Sequence, residues 1–141
     1  MNRKASAVWQ GGLKDGKGTV STESGVLSQT QYSFGTRFEN GKGTNPEELV
    51  AAAHAGCFSM ALSAELGKAN ITPTSIETSA TVTFEKLDTG WTVSKVHLDT
   101  KAKIPGADPA AFNVAAETAK TNCPISKLLK AEITMQATLE K

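Results

Sequence analysis

The sequence contains 141 residues, of which 21% are charged, and its formal net charge at pH 7 is +1. This length is typical of one folding unit, and no segment resembles a linker long enough to divide it, so we expect a single domain over residues 1–141. Because lysines are mixed with Asp and Glu along the chain, the sequence lacks the basic stripe or patch of a nucleic-acid surface.

The expected compartment determines how the two cysteines are expected to behave. The first residues lack the apolar segment of a secretory signal, since Trp9 is followed by Gln10 and two glycines, and we expect a cytoplasmic protein. The cytoplasm keeps ordinary thiols reduced. The two cysteines in the chain are therefore not expected to form a permanent disulfide, and any pairing between them is expected to be transient and chemical.

The first part of the chain is typical of β-structure. Residues 5–10 predict a strand, and β-branched residues at 19–22 follow a glycine turn, so a hairpin is expected. In residues 32–38 aromatic residues alternate with small or polar ones, which predicts a half-buried third strand with Arg37 near its end. The glycine-rich residues 39–44 then lead to a helix, but without the Lys-Ser/Thr and spacing of a phosphate-binding loop.

The longest predicted element is a helix over residues 45–67. Asn45 is a suitable cap, Pro46 suits the first helical position, and Glu47 lies where the helix dipole favours negative charge. Gly67 is a suitable stop. Few polar residues lie on any side between these ends, which predicts a helix that is buried on every face. The length would also cross a membrane, but its apolar content is mostly alanine and polar residues interrupt it, which favours a core helix.

The remainder of the chain predicts a second hairpin, two helices and a last strand. In chain order these are a hairpin of residues 76–87 and 91–101, a helix capped by Asp108, a short helix beginning at Cys123-Pro124, and a strand over residues 131–139. This order predicts an α+β fold with an antiparallel sheet wrapped around a long buried central helix. Because one sheet covers one side of that helix, the other side needs another helix or another subunit, and we expect a homodimer with the two long helices at its centre.

The two cysteines differ in their predicted surroundings. Cys57 lies in the middle of the apolar helix, where burial raises the pKa of a thiol, so it needs a nearby cation to become a thiolate. Cys123 lies at a helix N-terminus, where free amides favour an anion. The separation of 66 residues (123 − 57) excludes a Cys-x-x-Cys redox motif. From these residues alone, a packing role for Cys57 and a solvated position for Arg37 stay open.

The histidines do not indicate a metal site. His54 lies one helical turn before Cys57, but two histidines and two cysteines without a close-spaced pair do not form a zinc-ligand pattern. We therefore expect no metal. His97 lies in a predicted strand, where a lone histidine is more often a surface residue than a general base.

Three motifs resemble the OsmC/Ohr family of osmotically inducible and organic-hydroperoxide-resistance proteins. They are Thr44-Asn45-Pro46-Glu47-Glu48-Leu49, Ala52-Ala53-His54-Ala55-Gly56-Cys57-Phe58, and Asn122-Cys123-Pro124-Ile125-Ser126. Residues 19–25 and 35–38 resemble the OsmC branch in particular. The resemblance covers nearly the whole chain and implies an OsmC-like intertwined homodimer.

The resemblance also implies an activity and the residues that carry it. It implies a thiol-dependent peroxidase that reduces organic hydroperoxides, and hydrogen peroxide more weakly, to the alcohol. Cys57 matches the peroxidatic cysteine, Cys123 the resolving cysteine, Arg37 the catalytic arginine of the OsmC branch, and Glu47 the glutamate of the Asn-Pro-Glu motif. The implied cycle runs through a Cys57 sulfenic acid and a Cys57–Cys123 disulfide, which an external dithiol of the lipoyl type reopens. No haem, flavin, metal or other cofactor is implied.

Helix geometry adds an expectation about the dimer. Glu47 and Cys57 are ten residues apart on one helix, about 15 Å along its axis, which is too far for them to share one arginine. If Arg37 and Glu47 both serve Cys57, as the resemblance implies, they are expected to come from the partner subunit. Met60 and Phe58, near the cysteine, are expected mainly in the core. Lining of an apolar substrate channel is the lesser alternative for them, and also for Phe34, Phe38 and Ile125.

A second interpretation of a different class stays open. The protein would then be a dimer that holds a small hydrophobic ligand between its central helices and carries out no chemistry. Oxidation of Cys57 by peroxide separates the two interpretations, because a binding protein would leave that thiol unoxidised.

Overall fold

The computed structural model describes residues 1–141. The helices and strands are, in chain order, β1 (Ala5–Gln10), β2 (Lys17–Thr22), β3 (Thr30–Tyr32), α1 (Phe34–Phe38), α2 (Pro46–Lys68), β4 (Ser75–Leu87), β5 (Gly90–Lys103), α3 (Pro109–Asn122), α4 (Pro124–Leu128) and β6 (Glu132–Glu140). By their internal contacts the residues group into two compact units, Met1–Leu49 and Val50–Lys141. The single domain expected over residues 1–141 stays a prediction.

The first unit contains an antiparallel sheet in the order β1-β2-β3. Its predicted hairpin is confirmed, because β1 pairs with β2 in antiparallel register from Ala5 opposite Thr22 to Gln10 opposite Lys17. A Cβ atom added at Gly18 would lie within 2.7 Å of the rings of Trp9 and Tyr32, so this strand position needs glycine for the two rings to pack over it.

The predicted third strand over residues 32–38 is wrong for most of its length. Only β3 is extended there, and Phe34–Phe38 forms the short helix α1, which contains Arg37. The reason is a capping box: Ser33 Oγ accepts from the Thr36 N–H at 3.3 Å, and Thr36 Oγ1 accepts from the Ser33 N–H at 2.9 Å. Residues four apart lie on the same face of a helix, and the ring centres of Phe34 and Phe38 are 4.7 Å apart. Residues four apart also share one face of a strand, so the aromatic alternation does not distinguish the two elements.

The start of α2 agrees with the sequence. Asn45 Oδ1 accepts from the Glu48 N–H at 2.8 Å, and Pro46 occupies the first helical position. The prediction that α2 is buried on every side fails within one chain, where its buried residues are His54, Phe58, Leu62 and Leu66. These residues recur every four positions and form a single face. On the opposite side Met60 is 76% exposed.

By length and composition α2 is also apolar enough to cross a membrane, a criterion that the core helix of a soluble protein meets as well.

The C-terminal end of α2 differs from the prediction, because Gly67 remains helical and the helix stops at Asn70, whose φ is +59°. The Ile71 N–H donates to Leu66 O and the Asn70 N–H to Gly67 O, both at 3.0 Å. These are the two hydrogen bonds of a Schellman motif, and they satisfy the last carbonyls of the helix.

The second unit contains a sheet in the order β4-β5-β6. The predicted long hairpin is confirmed, with β4 and β5 antiparallel from Ser75 opposite Lys103 to Leu87 opposite Gly90. The expectation of an antiparallel sheet is wrong for β6, which runs parallel to β5. The chain leaves β5 and returns through α3 and α4, and a crossover of this kind brings the next strand back in the same direction.

The core of the second unit lies between α2, the β4-β5-β6 sheet and α3. Its buried apolar residues are Phe58, Leu62, Leu66, Val96, Leu98, Ala102, Ile104, Phe112, Ala115, Ala116, Ala119 and Cys123. A chain of hydroxyl groups fixes α2 on the hairpin: Ser59 Oγ lies 2.8 Å from Thr78 Oγ1, which lies 2.9 Å from Thr100 Oγ1. Each of these polar atoms is thereby satisfied at the edge of an apolar core.

The left-handed conformation at the end of α2 gives a test of the fold. Replacing Asn70 with Ala places a Cβ-bearing residue without asparagine's local hydrogen bonding at φ +59°, and we expect the free energy of unfolding to fall by about 1 kcal/mol. Asn70→Gly is the matched control, and it should stay within about 0.5 kcal/mol of the parent because glycine adopts positive φ freely. Urea unfolding of the three proteins measures this. Equal loss in both variants would contradict the assigned helix end.

Candidate active site

The two cysteines meet in the second unit. Their sulfur atoms lie 2.8 Å apart, although the residues are 66 positions apart in the chain, and both are free thiols. Cys123 is fully buried, whereas Cys57 is partly exposed. The pair therefore combines one partly exposed cysteine with one that is fully covered.

Local structure explains why Cys123 is held at this place. It ends α3, where its N–H donates to Ala119 O at 2.9 Å, and it also precedes Pro124, the first residue of α4. Proline has no N–H to continue the hydrogen bonds of α3, so the chain changes direction at Cys123. The expected cap position of this residue is confirmed, although its side chain makes no capping hydrogen bond.

The surroundings of Cys57 within its own unit favour the neutral thiol. Burial raises the pKa of the Cys57 thiol above its ordinary value, and the hydrogen bond shared with Cys123 and the electrostatic effect of that second sulfur raise it further. A backbone hydrogen bond from Ile125 acts in the opposite direction and lowers the pKa of Cys57. The free amide near the start of α4 thus serves Cys57, whereas the sequence suggested that such amides would favour an anion at Cys123.

Arg37 and Glu47 meet in the first unit. Arg37 Nη2 lies 2.8 Å and Nε 3.1 Å from Glu47 Oε1, and Nε also lies 3.3 Å from Glu47 Oε2. The side chain of Glu47 is 12% exposed and that of Arg37 is 37% exposed. Two nitrogens of a planar guanidinium held by one carboxylate have a fixed orientation, so Glu47 determines where the guanidinium of Arg37 points.

Asn45 connects the two elements that carry this pair. Its Oδ1 caps α2, and its Nδ2 donates to the carbonyl oxygen of Thr36 at 3.0 Å. One amide side chain therefore fixes α1, which carries Arg37, against the first turn of α2, which carries Glu47. The sequence predicted the cap but not the second contact, because a hydrogen bond to Thr36 requires the chain to fold back over nine residues.

An aromatic cavity of about 260 Å³ lies beside Arg37. It is lined by Trp9, Leu13, Tyr32, Ser33, Phe34, Arg37 and Phe38. The guanidinium carbon of Arg37 lies 5.5 Å from the centre of the Phe38 ring, within the range of a cation–π interaction. The cavity therefore combines apolar walls with one cationic group, and the suggestion that Phe34 and Phe38 line an apolar site agrees with its geometry.

Another buried contact lies next to the cysteines, and sequence reasoning missed it. His54, which is fully buried, places Nε2 2.7 Å from Ser126 Oγ. No group of three or more His, Cys, Asp or Glu side chains lies together to hold a metal ion. The structure thus brings Cys57 to Cys123 and Arg37 to Glu47, and the catalytic roles of these four residues stay predictions.

Residues 39–138 match the family model described as OsmC-like protein. The chain is 54% identical over 140 residues to peroxiredoxin OsmC of Escherichia coli strain K12, and the match covers 99% of this chain and 98% of the relative.

Solved structures agree on the fold, an α+β arrangement with two sheets and a long central helix. The OsmC-like protein of Mycoplasma pneumoniae superposes with a TM-score of 0.78 at 15% identity, over 100% of this chain and 99% of that one. The organic hydroperoxide resistance protein OhrB of Bacillus subtilis gives a TM-score of 0.68 at 23% identity, over 97% and 98% of the two chains. By sequence and by fold, the chain belongs to the family of OsmC-like proteins.

Proposed function

We propose that this protein is a cysteine-based peroxidase that reduces organic hydroperoxides to alcohols. The observation that carries the proposal is the contact of two free thiols at 2.8 Å, one partly exposed and one buried. The relative at 54% identity is a peroxiredoxin by name, which supports the same chemistry. Hydrogen peroxide is proposed as a poorer substrate, because it gains nothing from an apolar site.

The difference in exposure between the two cysteines supports the assignment of roles. A peroxide must reach the attacking sulfur, so the partly exposed Cys57 is the peroxidatic residue. Its thiolate attacks one peroxide oxygen, the O–O bond breaks, and the sulfur becomes a sulfenic acid while the alkoxide takes a proton and leaves as alcohol. Cys123 needs no access to substrate, because its only reaction is with the sulfur beside it.

The second half of the cycle forms the disulfide. The Cys123 sulfur attacks the Cys57 sulfenic sulfur, an S–S bond forms, the S–O bond breaks, and the hydroxyl group leaves as water with the thiol proton. A bonded S–S distance is about 2.05 Å, so the two sulfurs need to approach by less than about 1 Å. An external dithiol then reduces the disulfide, and we propose a dithiol of the lipoyl type in the cytoplasm.

Arg37 supplies the positive charge that Cys57 lacks within its own unit. A guanidinium that favours the thiolate by about 2 kcal/mol increases a small thiolate fraction roughly thirtyfold. It also donates hydrogen bonds to the oxygen on which negative charge develops as the O–O bond breaks. Glu47 keeps the guanidinium oriented for this purpose.

The distance along α2 supports an active site shared between two subunits. Glu47 and Cys57 are ten residues apart, about 15 Å along the helix, and Glu47 holds Arg37 directly. We propose an intertwined homodimer in which Arg37 and Glu47 of one subunit face Cys57 of the other.

The exposed side of α2 supports the same dimer. Ala52, Gly56, Met60 and Ala64 recur every four residues on the side opposite the buried face, and all four are exposed. A second copy of α2 offers an equally apolar surface of the same length, and closed pairing of identical surfaces is the commonest form of oligomer. This packing would give the helix the burial on all faces that its sequence predicts.

The aromatic cavity beside Arg37 supports the choice of substrate class. Its volume of about 260 Å³ suits an aryl or short alkyl group, and its apolar walls favour the organic part of a hydroperoxide. The dimer would place this cavity and Arg37 together at the partner's Cys57.

The roles of the cysteines are tested by single substitutions. Cys57→Ser should abolish consumption of cumene hydroperoxide, because the attacking sulfur is gone. Cys123→Ser should still consume about one equivalent and stop at the sulfenic acid, since no second sulfur is present to form a disulfide. Intact-mass analysis with a sulfenic-acid trap measures both outcomes. An unoxidised Cys57 in the parent protein at equimolar peroxide would contradict the proposal and favour a ligand-binding dimer.

The shared site is tested by mixing two inactive variants. Arg37→Ala should lose at least about a hundredfold in activity because a transition-state donor is removed, and Cys57→Ser should be inactive. After subunit exchange their heterodimer contains one intact site, so an equal mixture should recover about a quarter of the parent activity.

The matched control for the mixing experiment combines Arg37→Ala with Glu47→Gln. In that heterodimer each Cys57 faces a partner subunit that carries one of the two substitutions. The peroxidase activity should therefore not rise above that of the separate variants. Absence of recovery with the first pair, once exchange is verified by mass, would show that each chain uses its own Arg37.

A further inference from the structure

His54 and Ser126 form a buried contact that the proposed chemistry does not use. His54 Nε2 lies 2.7 Å from Ser126 Oγ, the imidazole is fully buried, and Ser126 is 8% exposed. His54 Nδ1 is buried without a hydrogen-bond partner. This unpaired nitrogen lowers the stability of the fold, since a buried unpaired polar atom typically costs about 1–3 kcal/mol. We therefore ask what the one hydrogen bond of the ring, to Ser126, contributes.

The contact between His54 and Ser126 lies beside the contact between the two cysteines. His54 precedes Cys57 by three residues on α2, and Ser126 follows Cys123 by three residues, so both pairs join the same two segments. The segments run in opposite directions, because the earlier residue on α2 meets the later residue near α4. Three residues correspond to about 4.5 Å of helix, so the two contacts are neighbours.

Burial favours the neutral form of this imidazole. Burial lowers the pKa of His54 from its ordinary value, which leaves one ring nitrogen with a proton and the other with a lone pair. An unpaired buried N–H is rarer in proteins than an under-satisfied acceptor. We therefore assign the proton to Nε2, which donates to Ser126 Oγ, and the lone pair to the unpartnered Nδ1.

The element that carries Ser126 needs such an anchor. α4 has five residues, and a helix of one turn has little stability of its own. Its side chains hold it to the core through the partly buried Ile125 and through Ser126. Movement of α4 would displace both the Ile125 backbone hydrogen bond to Cys57 and the adjoining Cys123.

We propose that His54 and Ser126 are positioning residues for the second half of the cycle. Their hydrogen bond holds α4 against α2, so that Cys123 condenses with the Cys57 sulfenic acid before a second hydroperoxide oxidises that sulfur further. This inference rests on the proposed peroxidase function. It predicts that the pair affects the rate of disulfide formation and not the rate of attack on the peroxide.

Single-turnover kinetics with cumene hydroperoxide test the proposal. The first phase is sulfenic-acid formation, measured by trapping and intact mass, and the second is disulfide formation, measured by loss of free thiols. Ser126→Ala leaves the His54 N–H unpaired and should slow the second phase by about tenfold while the first phase stays within about twofold. At excess peroxide the variant should also accumulate more sulfinic acid on Cys57 than the parent.

Variants of His54 and Lys127 make the result specific. His54→Ala removes the donor and should slow the second phase as Ser126→Ala does, whereas His54→Gln retains a side-chain N–H donor and should keep most of the parent's second-phase rate. This pair is the readout if Ser126→Ala does not fold. Lys127→Ala is the matched control, because this residue is exposed on the same short helix and both phases should be unchanged. Equal slowing of both phases in Ser126→Ala, or no change in the second phase, would overturn the proposal.

The outcome also separates this inference from the proposed function. If the parent protein forms sulfenic acid and disulfide but Ser126→Ala matches it in both phases, the peroxidase function stands and the positioning role fails. If the parent forms no sulfenic acid, the proposed function fails first.

Discussion

A thiol among apolar side chains resists ionisation, and this constraint at Cys57 determines what the rest of the protein must supply. Burial and the neighbouring sulfur both raise the pKa of Cys57, and the Ile125 backbone hydrogen bond offsets only part of that effect. A hydroperoxide reacts with the thiolate, so the site needs a cation. In the proposed dimer the cation is Arg37 of the partner subunit, which Glu47 holds in a fixed orientation. In this proposal Cys57 is activated only when two chains associate, because a separate chain would keep Cys57 mainly as the neutral thiol.

The proposed cycle would be divided between two groups of residues. Arg37 and the aromatic cavity beside it would act on the substrate and on the attacking sulfur. The junction of α3 and α4, which holds Cys123 buried at 2.8 Å from its partner, would act on disulfide formation. In the proposed positioning role, the hydrogen bond between His54 and Ser126 belongs to this second group. Such a division makes the two steps separable by mutation, which a single cluster of residues would not allow.

Much of the fold is determined by local sequence. The limits of α2, the caps of α3 and α4 and both hairpins depend on residues within a few positions of each other, and these predictions are confirmed except at the C-terminal end of α2. The failures have physical causes. Ser33 and Thr36 form a capping box that starts a helix, although the aromatic alternation over the same residues predicts a strand. At the end of α2, Asn70 adopts the left-handed conformation that was expected at Gly67. The parallel direction of β6 depends on where two helices return the chain, which no local pattern records. At the site, the cysteine motifs and Arg37 were identified through family resemblance, whereas the contacts of Ile125 and His54 required three-dimensional placement.

The central claim is that Arg37 makes the Cys57 thiolate accessible at neutral pH, and a titration of that thiolate tests it most directly. The Cys123→Ser background leaves one thiol in the chain, so ultraviolet absorbance of the thiolate against pH reports Cys57 alone. Arg3 is the other arginine, and Arg3→Ala is the matched control. With Arg37 present, Cys57 should ionise clearly below an ordinary thiol. Arg37→Ala should move the midpoint above the ordinary value, as burial dictates, so that the thiolate fraction and the oxidation rate both fall at neutral pH, and Arg3→Ala should change nothing. An unchanged midpoint in Arg37→Ala, or a Cys57 that stays protonated at neutral pH in the dimer with Arg37 intact, would contradict the account.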